Sequence, residues 1–461
     1  MDRLLFLLMF LSGLCLIGCQ KPSGSVELSK AKLPAKDYRY VICTDMTHDD
    51  DNSLIRLLHY ANEIDIEAII VTEQGPETWK IEDWPNKMWN RAQDILDKYE
   101  LVEDNLRKHA DGFPSAGYFR SITKRGMGSA ERMSGSSDEG AEHFWDYVGE
   151  GRDSDGSRFL QEVFDREDER PIYVAFWGGP ITFVQATWRY EQSHTAGEVQ
   201  ALMDKLIFHC ISFQDITFEY FIDLDSICGR FYGDYSGERL VPSVSLIDTD
   251  HFWKYIGATD VPTIHANSGV LGDLYDEGGE GDTPAFLNLI SMNLGLSDIS
   301  QPTWGGWGDR FIPHTLPNVW EADDPNELMR WLEAANNSFY ARCKWETLDF
   351  AQVNHDPVAA FEGDTSPDAV FLTGSLGEEV SLSALGSTDP DGDALTYSWW
   401  HYPVPGSYQG EVAIMSNQSE STTLMLPQDL GDRQLHIVLE VLDDGHPSLR
   451  SYKRVVLSAK D

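Results

Sequence analysis

Four carboxylates within seven residues, Asp45, Asp49, Asp50 and Asp51, stand where an apolar run ends. Packed this closely, carboxylates repel and raise one another's pKa values. A bound hard cation removes that cost. Calcium accepts carboxylate and carbonyl oxygens in flexible geometry, whereas magnesium keeps several waters. The chemistry on offer is therefore cation binding, or proton transfer by a carboxylate. A plainer reading is a solvated acidic turn capping a helix, whose dipole favours one or two of these charges. An aspartyl nucleophile for phosphoryl transfer fits less well, because no Gly-rich phosphate loop follows.

The elements that must position these residues can be read around them. Residues 38–43 form an apolar, strand-like run. From Ser53 a helical pattern begins, with Leu54, Leu57, Leu58 and Ala61 at i, i+3, i+4 and i+7. Residues 66–71 form a second strand-like run. This is a βαβ unit with its carboxylates at the C-terminal end of the first strand, the edge where open α/β sheets bind ligands. Further runs at 171–177 and 206–211 read as strands, and 89–99, 157–165, 181–190 and 327–347 as helices. Residues 127–137 read as a mobile loop, and 226–317 as a long irregular region with two Gly-rich patches. The expected fold is α/β, a mainly parallel sheet with helices on both faces. After Asn354-His355-Asp356-Pro357 the period changes to two: Leu395, Tyr397 and Trp399 share one face, as do Leu435, Ile437, Leu439 and Val441. That predicts a small all-β sandwich over 354–461, preceded by the α/β domain over 37–353.

The chain has 461 residues, 14 of them Trp, and a net charge of −41. Such acidity argues against binding nucleic-acid backbone, which needs clustered Lys and Arg. Residues 4–17 are apolar and too short to span a membrane, which fits a signal peptide over 1–18. Leu16-Ile17-Gly18-Cys19 resembles the bacterial lipoprotein cleavage box, which makes Cys19 the lipidation site. The expectation is an exported protein, lipid-anchored in the periplasm or at the cell surface, that meets the membrane only through its anchor. Residues 19–36 read as a tether. Of the other cysteines, Cys43 falls in a core strand, and a Cys210–Cys228 disulfide stays open. So does the oligomeric state.

Asp45 with Asp49 and Asp50 is similar to the Asp-x-x-x-Asp-Asp signature of nucleoside hydrolases. More closely, the chain resembles a bacterial nucleoside-hydrolase-like family once described as cellulose-binding. The segments that carry this include Leu57-Leu58-His59-Tyr60-Ala61-Asn62-Glu63, Phe176-Trp177-Gly178-Gly179, Gly281-Asp282-Thr283-Pro284, Trp304-Gly305-Gly306-Trp307-Gly308, Ser387-Thr388-Asp389-Pro390-Asp391-Gly392-Asp393 and Leu439-Glu440-Val441-Leu442-Asp443-Asp444-Gly445. The resemblance implies a Ca2+ site from Asp45, Asp50, Thr182 (through its carbonyl) and Asp282. It implies Asp45 as the residue that activates water, and Asp49 and Asp282 as substrate-binding carboxylates. Trp304 and Trp307 are candidates for stacking on a sugar or base, or for packing a Gly-rich lid. Where the hydrolases have a first aspartate, a Gly-containing turn and a His-Gly, this chain has Cys43, Met46-Thr47-His48 and Asn267-Ser268-Gly269. Two functions are expected: calcium-dependent cleavage of an N-glycosidic or related bond in a small ribosyl or glycosyl substrate, or non-catalytic polysaccharide binding. Asp389, Asp391 and Asp393 read either as the start of a calcium loop or as an Asp-Gly turn. The twelfth position is Trp400, which rules out an EF-hand.

Overall fold

The computed structural model describes residues 25–28, 37–47, 49–72, 84–127, 148–178, 180–211, 245–249, 260–315 and 318–460. Its larger sheet has eight strands. These are β2 (Arg39–Thr44), β3 (Asp65–Val71), β4 (Thr123–Arg125), β5 (Ile172–Phe176), β6 (Leu206–Ile211), β7 (Ser245–Thr249), β8 (Phe311–Pro313) and β9 (Val319–Ala322), in the order β4-β3-β2-β5-β6-β7-β9-β8. Every neighbouring pair is parallel except β8 with β9. The chain runs from β2 outward to β4, then returns to place β5 on the other side of β2. The order therefore reverses between β2 and β5, which opens a crevice at their C-terminal ends.

Continuous apolar runs form the central strands because both faces are covered. Tyr40, Ile42, Tyr173 and Ala175 point into one core, shared with α1 (Asp49–Leu58), α2 (Trp84–Leu106), α8 (Pro284–Asn293) and α10 (Leu332–Lys344). Val41, Cys43, Val174 and Phe176 point into the other, with α4 (Asp155–Phe164), α5 (Ile181–Ser193) and α6 (Ala196–Met203). Shorter helices are α3 (Ala116–Ile122), α7 (Val261–Asn267) and α9 (Pro325–Met329). Two expectations need correction. The stretch expected to be irregular holds β7, α7 and α8, and the single helix expected over 327–347 is two, α9 and α10. Cys210 is a buried free thiol in β6; Cys228 and the loop expected at 127–137, beyond Met127, lie outside the described residues. Among the described residues no helix is long and apolar enough to cross a membrane.

The C-terminal strands form two sheets. The first contains β1 (Ser25–Leu28), β10 (Val370–Gly374), β16 (Arg450–Ala459), β15 (Leu435–Leu442) and β12 (Thr396–His401), in the order β1-β10-β16-β15-β12. The second contains β11 (Glu379–Ser383), β14 (Ser421–Met425) and β13 (Ile414–Met415), in the order β11-β14-β13. Strand β1 comes from the stretch expected as a tether and pairs antiparallel with β10. Leu435, Ile437, Leu439, Val441 and Trp399 fill the space between the sheets, as their period of two implies. The opposite face of the larger sheet is also buried. Val438, Tyr402 and Tyr452 join the α/β core, and Trp400 packs against Trp331 (centroids 6.0 Å apart). Arg454 is buried there, and among the described residues no carboxylate lies within ion-pair distance of it. It donates to the carbonyls of Leu296 (2.8 Å) and Trp304 (3.1 Å), and burial lowers its pKa to about 10.

A second buried arginine ties the junction to α1. Arg342 donates to His59 O (2.9 Å) and Asn62 Oδ1 (3.0 Å), pairs with Glu63, and lies 3.7 Å from Asp356. Burial raises the Asp356 carboxyl to about 7, and Arg342 only partly opposes this. A carboxyl raised in the folded state binds its proton more tightly there than in the unfolded chain. Its contribution is therefore fully present below about pH 4 and lost as pH rises to about 7. Asp356→Asn should remove this slope. The side chain keeps 17% exposure, so the variant should gain about 1–2 kcal/mol on wild type between pH 4.5 and 8. Urea unfolding at the two pH values checks this, and a constant difference between the proteins would refute it.

Candidate functional site

The acidic site lies at the reversal point of the sheet. Strand β2 ends at Thr44, just before Asp45; there Trp177 N donates to Cys43 O (2.9 Å) and Thr72 N to Thr44 O (2.8 Å), so the loops after β2, β3 and β5 start together. Met46 is buried with φ of 57°, a left-handed conformation unusual for a residue with a Cβ. The turn thus keeps a shape that glycine adopts at little cost, with Met46 anchored in the α/β core. This turn sends the chain from Asp45 into α1. Thr47 N donates to Asp45 Oδ1 (3.0 Å), Thr44 Oγ1 donates to Asp50 Oδ1, and Met46 N donates to Thr44 Oγ1 (2.9 Å).

Asp49, Asp50 and Asp282 each bring a carboxylate oxygen to one point, all three within 4.8 Å of one another. Among the described residues, no other trio of His, Cys, Asp or Glu ligand atoms meets so closely. Asp50 is 2% exposed and Asp282 1%. Burial, then the charges of Asp45 and Asp49, hold the Asp50 carboxyl well above the usual carboxylate range. Three carboxylates in this arrangement fit a hard cation. The trio contains Asp50 and Asp282 of the expected cation ligands. It also contains Asp49, expected only to bind substrate, while Asp45 stands beside the trio. Asp51 points elsewhere and pairs with Arg91.

Thr182 is the second residue of α5 and fully buried. Its hydroxyl bonds to Thr72 Oγ1 (3.0 Å) and accepts from Met127 N (2.9 Å). The loops after β3, β4 and β5 meet at this threonine. Gly126 permits the approach, since a Cβ there would lie 2.6 Å from Thr182 Oγ1 and 2.7 Å from Thr72 Oγ1. Trp304 and Trp307 are buried between the α/β domain and the sandwich. Arg454 lies over the Trp304 ring, and Trp307 Nε1 donates to Tyr452 Oη (3.3 Å). Both rings thus pack against side chains of β16 at this junction. His265 Nε2 bonds to Tyr275 O (2.7 Å), and Asn267 Nδ2 donates to Thr263 O (2.7 Å). His48, Gly179, Cys19 and residues 213–216 lie outside the described residues.

The sequence reading missed the side chains that fasten the Asp282 loop to α1. Asn52 Nδ2 donates to Gly279 O (2.7 Å) and Asp276 O (3.0 Å), and Asn52 Oδ1 accepts from Asp276 N (3.0 Å). Arg56 pairs with Glu280 (2.9 Å), and Thr283 Oγ1 donates to Glu280 Oε2 (2.9 Å) and lies in hydrogen-bond contact with Ser53 Oγ (3.1 Å). Asn52 and Arg56 stand at i and i+4, one face of a helix. Two polar residues on a helix whose other side is apolar were the available signal.

A family model described as "Cellulose-binding Sde182, nucleoside hydrolase-like domain" matches residues 39–311. A second, "Cellulose-binding protein Sde0182, C-terminal domain", matches residues 379–459. A solved structure, described as a nucleoside hydrolase-related hypothetical protein from Saccharophagus degradans that is associated with carbohydrate metabolism, superposes with a TM-score of 0.75 at 30% identity. The alignment covers 92% of this chain and 100% of that one. No curated protein matches the chain. The first model spans more than half of the sequence and the neighbour nearly all of it, with a nucleoside-hydrolase-like sheet followed by an antiparallel sandwich. The chain therefore belongs to the cellulose-binding Sde182 nucleoside-hydrolase-like family.

Proposed function

We propose that the protein is a calcium-dependent hydrolase of an N-glycosidic or related glycosyl bond, exported and lipid-anchored through Cys19. The observation that carries this reading is the convergence of Asp49, Asp50 and Asp282 at the reversal point of the sheet, with Asp45 beside them. Asp49, Asp50 and Asp282, joined by the Thr182 carbonyl, would hold the cation. Calcium, when bound, orients water and vicinal sugar hydroxyls and lowers the pKa of that water. Asp45 is the base that takes the proton from water; Thr47 N–H fixes its orientation. Breaking a glycosyl bond leaves positive charge on the sugar, and the clustered carboxylates stabilise it. Asp49 is the least buried of the trio and is the one placed to bind a sugar hydroxyl.

Polysaccharide binding without catalysis is the second reading, and the wording of both family descriptions favours it. One experiment separates the two. Purified wild type and Asp50→Asn are assayed on nucleosides and aryl glycosides, with calcium and with chelator, and for retention on insoluble cellulose. Turnover that needs both calcium and Asp50 is the expected result. Retention on cellulose with no turnover of any substrate would overturn the hydrolase reading in favour of the binding one.

A further inference from the structure

A groove of about 500 Å³ lies where the segment leaving the α/β domain meets two loops of the sandwich. Phe350, Asn354, Asp391, Asp393, Asp444 and His446 are among its lining residues. Asn354 is 4% exposed. Its amide nitrogen donates to both oxygens of Asp443 (3.0 and 3.0 Å) and to Pro447 O (2.8 Å). Three acceptors around one NH2 fix which end of the amide is nitrogen. Among the described residues the oxygen, Oδ1, then has no donor. The amide lies against Gly445, another lining residue, where a Cβ would come 2.3 Å from Nδ2 and 2.5 Å from Oδ1.

A second buried oxygen lacks a donor among the described residues, in Asp389, which immediately precedes the lining residues Pro390, Asp391 and Asp393. Asp389 Oδ1 accepts from Asp391 N (2.8 Å) and Asp393 N (3.0 Å), while Asp389 Oδ2 is buried with no donor. Asp389 is close enough to Asp443 and Asp393 for its charge to act on both. Asp393 is raised by burial and then by Asp389, Asp444 and Asp391, with only His446 opposing. The other acids nearby are engaged: Asp391 accepts from His355 N (2.8 Å) and Asp444 Oδ1 from Ala394 N (2.8 Å). A buried acceptor surrounded by acceptors is unfavourable unless something positive sits between them.

We propose that this groove is a second calcium site, built from Asn354 Oδ1, Asp389 Oδ2 and the Asp393 carboxylate. A mixed set of carboxylate and amide oxygens suits calcium; soft metals would want sulfur and magnesium a more regular octahedron. The ion would bind the segment leaving the α/β domain to the 389–393 loop, and so hold the junction closed. It is independent of Asp49, Asp50 and Asp282.

Calcium titration calorimetry on chelator-stripped full-length protein tests this. Asp282→Asn, which disables the sheet-edge site, should still bind one calcium. Asp282→Asn/Asp393→Asn should lose that calcium by at least tenfold in affinity while keeping the near-ultraviolet circular dichroism of the parent. Asp389→Asn in place of Asp393→Asn gives an independent second variant. Absence of calcium binding by folded Asp282→Asn, or unchanged binding when Asp393 or Asp389 is also replaced, overturns the proposal. Wild type that binds one calcium, lost on replacing Asp393 and kept on replacing Asp282, sinks the sheet-edge reading and supports this one.

Discussion

Asp282→Asn is expected to be more stable than wild type in chelator and less stable than wild type in calcium. Without a cation, three carboxylates within 4.8 Å oppose one another in a buried setting. Removing one charge should stabilise the folded state by about 1–3 kcal/mol, less than a bare Coulomb sum because protonation of Asp50 already relieves part of the strain. With calcium at about 100 times its dissociation constant, a protein that binds it only when folded gains about 2.7 kcal/mol. The variant should forgo most of that gain from this site. Stabilisation from the junction groove is common to both proteins and cancels in the comparison. Thermal unfolding with EDTA and with calcium reads the crossover directly. Equal calcium-induced shifts in the two proteins would show that Asp282 does not help to hold the ion.

How much of this was legible in the sequence depends on how local the cause is. Strands β2, β3, β5 and β6 were readable because burial on two faces leaves a continuous apolar run, and each run ends in turn residues; the three-residue β4, Thr123–Arg125, has no such run. The acidic turn was readable because neighbouring carboxylates carry their own electrostatic cost. Asp282 was found by its motif alone; nothing in its own segment says that it reaches Asp49 and Asp50 across more than 200 residues. The helix patterns could not report Arg56 or Asn52, because a buried polar residue on α1 looks like an ordinary solvent-facing position until its partner loop is placed. Trp304 and Trp307 failed to declare themselves for a related reason. A tryptophan in a Gly-rich stretch suits a sugar platform and a packed lid equally, and nothing in its own segment says that Tyr452, Arg454 and Val456 of β16 cover it. β15 and β16 are in fact buried on both faces, one toward the sandwich interior and one toward the α/β core. Strand β7 was hidden by the polar segments around it.

The largest stability effect should come from the pair that carries the Asp282 loop. Arg56 is fully buried and the Glu280 side chain is 2% exposed. Breaking such a pair from one side leaves an uncompensated charge, at a cost of about 3–5 kcal/mol. The two sides are not equivalent. Arg56→Met strands Glu280, but its carboxyl is already raised by burial and can take up a proton, with the Tyr275 and Thr283 hydroxyls still beside it. Glu280→Leu strands a guanidinium that cannot lose its proton, and the Ala335 carbonyl (2.7 Å) and the Asn336 side-chain oxygen (3.1 Å) beside it carry no charge to replace the carboxylate. Glu280→Leu should therefore be the worse of the two. The double variant Arg56→Met/Glu280→Leu should recover much of the loss, since paired apolar replacement of a buried ion pair is often close to neutral. Calcium affinity should follow a different order. Either single change removes one of the ties between residues 280–283 and α1, leaving Thr283–Ser53 and the Asn52 bonds, and should weaken binding at least tenfold; the double variant should remain weak because that tie is still missing even where stability returns. Urea unfolding gives the first ordering and calcium titration of the folded variants the second. A double variant as unstable as the sum of the singles would deny the pair its electrostatic coupling. Wild-type calcium affinity in all three would show that the clip stabilises the fold without positioning the site.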